Sequence, residues 1–280
     1  MPIMRRPGRS QPAGPDRPAD DAQVTDLVRA LSAPAPTEDR ARRARLIGQL
    51  GKALGASARV AGTGAVLSGQ WLSDLVEQMA PHVTVRDLQT LQDTYQLEGN
   101  ALAEAVIRSA SRSTAALGAA AGALAAAELA APPALLATPV QLAAETLAVV
   151  AVELRMLGEL HEIYGAPVAG TTTAKATELL TTWVRRRALE GSAGGLLLGA
   201  AARRELRKRV MKRLGTSVTT LAPFLAGAVA GAEVNRRETR KLGDAVAKDL
   251  SVRALRTFPA DRLIEGQATE GRPGPSGSPA

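Results

Sequence analysis

Apolar residues recur along most of the chain at intervals of three and four positions, which is the spacing of one face of an α-helix. The first such set lies before two prolines and comprises Val24, Leu27, Val28 and Leu31. No stretch alternates apolar and polar residues over a length typical of a strand. The pattern therefore predicts an all-α fold.

Prolines, glycines and capping residues divide this pattern into a bundle of roughly eight helices. Thr37 is a candidate cap of the second helix, with a break predicted at 62–64, and Thr84 with Asp87 has the spacing of a capping box for a later helix. The helices are predicted over residues 24–31, 37–69, 71–80, 99–131, 139–164, 171–189, 193–213 and 233–258.

The chain ends differ from this pattern. Residues 1–20 and 266–280 are rich in Pro, Gly or Ser and have no sustained apolar spacing, so both are expected to be disordered tails. Between them we expect a short helix and a Pro linker over 21–36, a helical region over 37–97 and an Ala/Gly-rich helical core over 98–258. The N-terminus lacks the apolar core of a secretory signal, and a cytoplasmic protein is expected.

Composition strengthens the helical prediction and excludes several chemistries. Hydrophobic residues make up 45% of the chain but aromatic residues only 2%, so Ala and Leu must provide most of the buried surface. The absence of Cys excludes disulfides, thiolate metal sites and a Cys nucleophile, and two His leave little for a His-based metal site. Neither a phosphate-binding GxxxxGK[ST] loop nor a GxSxG nucleophile motif occurs. We expect no catalytic residue, cofactor or metal.

The formal net charge is +8, and its excess lies in the final third of the chain. Seven of the eleven residues in 203–213 are basic: Arg203, Arg204, Arg207, Lys208, Arg209, Lys212 and Arg213. They flank an apolar row, so this segment could be a cationic amphipathic helix on anionic lipid, or a bundle helix with a solvated face. Nucleic acid is not expected as a partner, because aromatic stacking residues are almost absent.

Glycines spaced by four recur in the least charged stretches of the chain. This spacing creates a groove that lets a second helix approach closely. The pairs that we expect to serve helix packing are Gly118 with Gly122, Gly195 with Gly199, and Gly227 with Gly231.

The uncharged run 214–232 is long enough to span a bilayer but has many Ala, Gly and Thr residues. Basic residues stand at both of its ends, whereas a single crossing should have them on one side. A re-entrant hairpin or a soluble core helix fits these flanks better than a span.

Polar residues inside the helix over 139–164 offer one further candidate site. On a helical projection Gln141, Glu145 and Glu159 fall close together, with Arg155 nearby. We expect a polar stripe that faces water; the alternative is a buried ion pair of Glu145 with Arg155 or with either of two arginines of the preceding helix, Arg108 and Arg112. His161 is expected to be exposed or to cap the helix end.

Two segments resemble the EcsC family: VELRMLGELHEIYG at 152–165 and LAPFLAGAVAGAEVNRRETRKLG at 221–243. The matching positions are Tyr164, Gly165, Pro223, Gly227, Gly231, Asn235 and Thr239. The resemblance covers residues 98–250 and implies a helical, membrane-associated bacterial protein without established catalytic chemistry. The abundance of Ala, Gly and Arg is typical of a GC-rich genome.

These observations predict a non-enzymatic protein of the cytoplasm or the inner face of the cell membrane. Its expected partner is an anionic membrane surface or a membrane protein complex. The alternative is a soluble helical carrier or enzyme with a ligand site between helices near Glu145.

Overall fold

A computed structural model describes residues 17–34, 40–68, 70–129, 138–189 and 225–257 of the chain. In these residues the predicted all-α fold is confirmed, since they contain eight α-helices and no strand. The helices are α1 (Arg17–Ser32), α2 (Arg40–Ser68), α3 (Gln70–Met79), α4 (Leu88–Tyr95), α5 (Gly99–Leu129), α6 (Thr138–Ile163), α7 (Thr172–Leu189) and α8 (Leu225–Thr257). A single 3-10 turn over Ala80–His82 follows α3.

The ends of the helices follow local chemistry in most places. Gly62 interrupts α2 with φ 83° and ψ 158°, at the predicted break. The helix α1 begins at Arg17, so the last four residues of the predicted N-terminal tail are helical. The remainder of both predicted tails, Thr37 and the predicted helix over 193–213 lie outside the described residues.

The predicted capping box before α4 is wrong, because the capping residue is Asp87 itself. Its backbone is extended, and its carboxylate accepts a 2.8 Å hydrogen bond from the backbone amide of Thr90. This bond lowers the pKa of the Asp87 carboxyl below its usual range. Thr84 lies four residues before the first residue of the helix, which is too far for its side chain to cap it.

The centre of the bundle is α6, which packs against α1, α2, α3, α4, α5, α7 and α8. Every residue from 143 to 160 is buried. A helix enclosed in this way has no solvent face for its polar residues. The predicted water-facing stripe on this helix is therefore wrong: Glu145 is 3% exposed and Glu159 is 1% exposed.

The most extensive contact in the bundle joins α5 and α8. Two glycines lie where these helices meet, one on each helix. A Cβ atom added to Gly118 would lie 2.7 Å from the carbonyl oxygen of Gly231, a distance that real Cβ atoms do not reach. The backbones of α5 and α8 therefore approach closely at Gly118 and Gly231, each of which belongs to a different one of the predicted glycine pairs.

Candidate functional site

The most unusual feature of the described structure is a set of buried carboxylates on α6. Glu145, Glu153 and Glu159 are each at most 3% exposed. A buried charge is tolerated when ion pairs and hydrogen bonds replace its water, so the partners of these glutamates define the interior of the bundle.

Glu153 links α6 to α7 and α8. Its Oε1 atom lies 2.5 Å from Nη2 of Arg187 and accepts a 2.9 Å hydrogen bond from the Thr239 hydroxyl. Its Oε2 atom accepts a 2.7 Å bond from the indole Nε1 of Trp183. Arg187 also donates from Nη1 to Glu238 of α8, at 3.1 Å. One buried carboxylate thus connects three helices.

Glu159 binds an arginine of the segment before α4. Arg86 donates in bidentate geometry, from Nε to Oε1 at 2.7 Å and from Nη2 to Oε2 at 3.1 Å. The same guanidinium lies 5.4 Å from the ring centre of Tyr95, in cation–π contact. Burial lowers the pKa of Arg86, but the hydrogen bonds and the charge of Glu159 outweigh burial and raise it above its ordinary value.

Arg155 is the second cation near Glu159, and its guanidinium is buried. Its Nε atom is 3.6 Å from Glu159 Oε1, and Nη1 donates to the Ser32 carbonyl at the end of α1. Burial lowers the pKa of Arg155, while the charge of Glu159 opposes that effect. The residue therefore connects α6 to α1.

Glu145 lies beside the glycine contact between α5 and α8. Asn235 donates from Nδ2 to Glu145 Oε1 at 3.0 Å and to the carbonyl oxygen of Thr114 at 3.1 Å. The ion pairs that the sequence suggested are not found among the described contacts. Arg108 and Arg112 are exposed, and Arg155 lies against Glu159 instead.

The six glycines predicted to serve packing separate into three groups. Gly118 meets Gly231 and also Asn235, whose Nδ2 atom would lie 2.7 Å from a Cβ at Gly118. Gly122 and Gly227 lie four residues from these contact glycines on α5 and α8. Gly195 and Gly199 lie outside the described residues.

The positions that resemble the EcsC family form contacts inside the bundle or lie at a helix end. Asn235 and Thr239 contact the buried glutamates described above. Gly165 has φ 66° just after the end of α6, a conformation that favours glycine. The Tyr164 hydroxyl donates to Asn100 Oδ1 at 3.0 Å, and burial raises the pKa of this phenol. Pro223 lies outside the described residues.

His161 lies in the last turn of α6, with Nδ1 3.1 Å from the carbonyl oxygen of Ala166, which follows the helix. It lines a pocket of about 460 Å³ that also includes Glu178, Leu250 and Arg253, where the ends of α6, α7 and α8 meet. Among the residues whose placement is described, no group of three or more His, Asp or Glu side chains is arranged to hold a metal ion.

The seven basic residues of 203–213 lie outside the described residues, so the amphipathic helix expected there stays a prediction. None of the helices in the described ranges is long and apolar enough to cross a membrane.

Sequence reasoning missed three residues that hold the buried glutamates: Arg86, Trp183 and Arg187. Arg86 is 73 residues from its partner Glu159, and Arg187 is 34 residues from Glu153. The scarcity of Trp was the available signal, because a Trp in an Ala-rich bundle is expected to be buried with its N–H bonded.

The chain matches no protein-family model, no curated protein and no solved structure. The resemblance to EcsC proteins therefore stays a prediction.

Proposed function

We propose that this protein is a non-enzymatic helical protein that associates with the anionic, cytoplasmic face of a membrane through the basic segment 203–213. The observation that carries the proposal is the charge of this segment. Seven of its eleven residues are basic and one is acidic, and they flank an apolar row with helical spacing. Each cation near an anionic lipid surface contributes about 1 kcal/mol of binding free energy.

The helices that border the segment support this role, because both are fixed in the bundle. On the N-terminal side, α7 is joined to α6 by the contacts of Trp183 and Arg187 with Glu153. On the C-terminal side, α8 is joined to α5 and α6 through Asn235. Attachment of the segment to lipid would therefore hold the whole bundle at the surface.

The buried charges also support interaction rather than chemistry. Glu153 and Glu159 are each held by an arginine and serve to join helices. A carboxylate engaged in this way stabilises the packing of its neighbours and is poorly placed to exchange protons with a substrate.

Liposome flotation tests the proposal. Wild-type protein should float with vesicles that contain phosphatidylglycerol and not with phosphatidylcholine alone, and high salt should release it by screening. Reversal of Arg203, Arg207 and Lys208 to Glu should abolish flotation. The matched control reverses three exposed cations at the end of α8, Lys248, Arg253 and Arg256, and should retain it.

Two results would contradict the proposal. Equal flotation of wild type and the 203–213 variant, resistant to salt, would indicate apolar insertion instead of surface attachment. Failure of wild type to float with either vesicle would favour the soluble carrier or enzyme with a ligand near Glu145.

A further inference from the structure

The outward face of α2 carries a line of cations that is separate from the basic segment. Arg45, Lys52 and Arg59 are exposed and recur every seven residues. Seven residues are close to two helical turns, so the three side chains follow one line, with steps of about 10.5 Å along the axis. We call these three residues the cationic stripe.

Among the described residues, no carboxylate forms an ion pair with the cationic stripe. The sequence from Arg40 to Ser73 contains no Asp or Glu. Within the described ranges the guanidinium groups of the stripe bond only to carbonyl oxygens of their own helix. Arg45 donates to Ala41 at 3.4 Å and Arg59 donates to Gly55 at 3.0 Å.

Three arginines of α8 have acidic partners. Arg236 and Arg237 both lie within 2.8 Å of Glu233, and Arg240 lies 2.7 Å from Glu104 of α5. The stripe is thus a local excess of positive charge.

The opposite face of α2 keeps the cationic stripe facing outward. Ile47, Leu50 and Leu54 are fully buried in the core. A rotation of α2 that turned the cations inward would expose these three apolar side chains. No large apolar side chain of α2 is exposed among those described. Among the described side chains of this face, contact therefore depends on charge and not on apolar side chains that insert into hydrocarbon.

We propose that the cationic stripe is a second docking surface for an anionic bilayer, on which it rests at the level of the lipid headgroups. The inference deepens the proposed function, since it names the same partner, but it does not require the segment 203–213. A straight line of three cations can meet a flat anionic surface along its whole length. The helix has no aromatic residue that could stack on nucleic acid bases, so a bilayer is the better fit.

The test is the variant Arg45→Gln, Lys52→Gln, Arg59→Gln in the full-length chain, with phosphatidylglycerol-containing vesicles as the probe. Its affinity should fall on the order of 100-fold, from three lost contributions of about 1 kcal/mol each. The matched control Lys248→Gln, Arg253→Gln, Arg256→Gln removes the same charge from exposed positions of α8 and should lose only a few-fold. Circular dichroism should show the same helix content for wild type and the stripe variant.

The outcomes separate this inference from the proposed function. Loss of binding by the stripe variant with retention by the 203–213 variant would support the stripe and overturn the segment. Unchanged binding by the stripe variant, or equal loss by the α8 control, would overturn the stripe. Tighter binding of wild type to duplex DNA than to vesicles, lost in the stripe variant, would overturn the bilayer and assign nucleic acid. Absence of vesicle binding by wild type would overturn both proposals.

Discussion

The helices α2 and α8 are similar in length and composition but differ in the contacts of their charged residues. They span 29 and 33 residues, and both are rich in Ala, Gly and Arg. In α8 acidic residues stand among the cations, so that Arg236 and Arg237 pair with Glu233. In α2 no acidic residue accompanies the cations, and the cationic stripe has no carboxylate partner in the described structure.

The difference shows that the arginines of a bundle helix can either join it to neighbouring helices or remain on the surface of the bundle. The charges of α8 reach across to its neighbours, as Glu238 does to Arg187 and Arg240 does to Glu104. Removing them should change the stability of the fold. Among the described contacts, Arg45 and Arg59 of the cationic stripe bond only to carbonyl oxygens of their own helix, so removing the stripe should change binding and leave stability unaffected.

The sharpest test of this comparison breaks the buried ion pair of Arg187 with Glu153, because Arg187 also contacts Glu238 of α8. Arg187→Met leaves Glu153 charged and fully buried, and we expect the free energy of unfolding to fall by about 3–5 kcal/mol. Arg59→Met on the exposed face of α2 should change it by no more than about 0.5 kcal/mol. Urea denaturation of both variants measures the two effects.

A double variant checks the mechanism of that loss. Glu153→Leu with Arg187→Met removes both charges, and part of the stability should return because no unpaired charge remains buried. Equal stability of Arg187→Met and wild type would contradict the buried ion pair.

A smaller effect is expected when one methyl group is added at a glycine, either where α5 meets α8 or on α2. Gly118→Ala places a Cβ against the backbone of Gly231, and we expect a loss of about 1–3 kcal/mol from the forced separation of α5 and α8. Gly55→Ala on α2 meets no atom within 4 Å and should stabilise the helix by about 0.5–1 kcal/mol. Thermal melting reads both. Opposite signs are the expected result, and a neutral Gly118→Ala would contradict the close contact.

The smallest effect concerns the exposed acid of α8. Hydrogen bonds from Arg236 and then Arg237 lower the pKa of Glu233 from 4.5 to about 2. A lowered pKa means that the stabilisation is fully present above pH 4.5 and is lost as the pH falls toward 2. Carboxyl NMR titration should find the low midpoint in wild type and a midpoint near 4.5 in Arg236→Gln, Arg237→Gln. A wild-type midpoint at 4.5 would show that these ion pairs do not form in solution.

Local chemistry allowed much of the helical framework to be predicted. The predicted break of α2 at 62–64 is found at Gly62, which has a positive φ. The helix predicted over 139–164 ends just before Gly165, which also has a positive φ. Such positions depend on a few neighbouring residues, so periodicity and breakers suffice to find them. The cap of α4 escaped this reasoning because Thr84 and Asp87 both suit an N-cap, and only the backbone distinguishes them.

The buried charges could not be predicted in the same way. A helical projection places Glu145 and Glu159 on one side, and an isolated amphipathic helix would turn that side to water. The projection carries no information on how many neighbours a helix has, and α6 has them on every side. The partners Arg86 and Asn235 come from positions 73 and 90 residues away in sequence.

The sequence by itself determined the helical class, most helix ends, the glycine spacing and the uneven distribution of charge, because each depends on residues that are near one another in the chain. Only the tertiary structure decided that α6 is enclosed, that its glutamates are buried, and that Gly118 meets Gly231. It also decided that Arg236, Arg237 and Arg240 of α8 have acidic partners, while the α2 stripe has none among the described residues. These outcomes depend on which helices become neighbours, and local periodicity does not encode that choice.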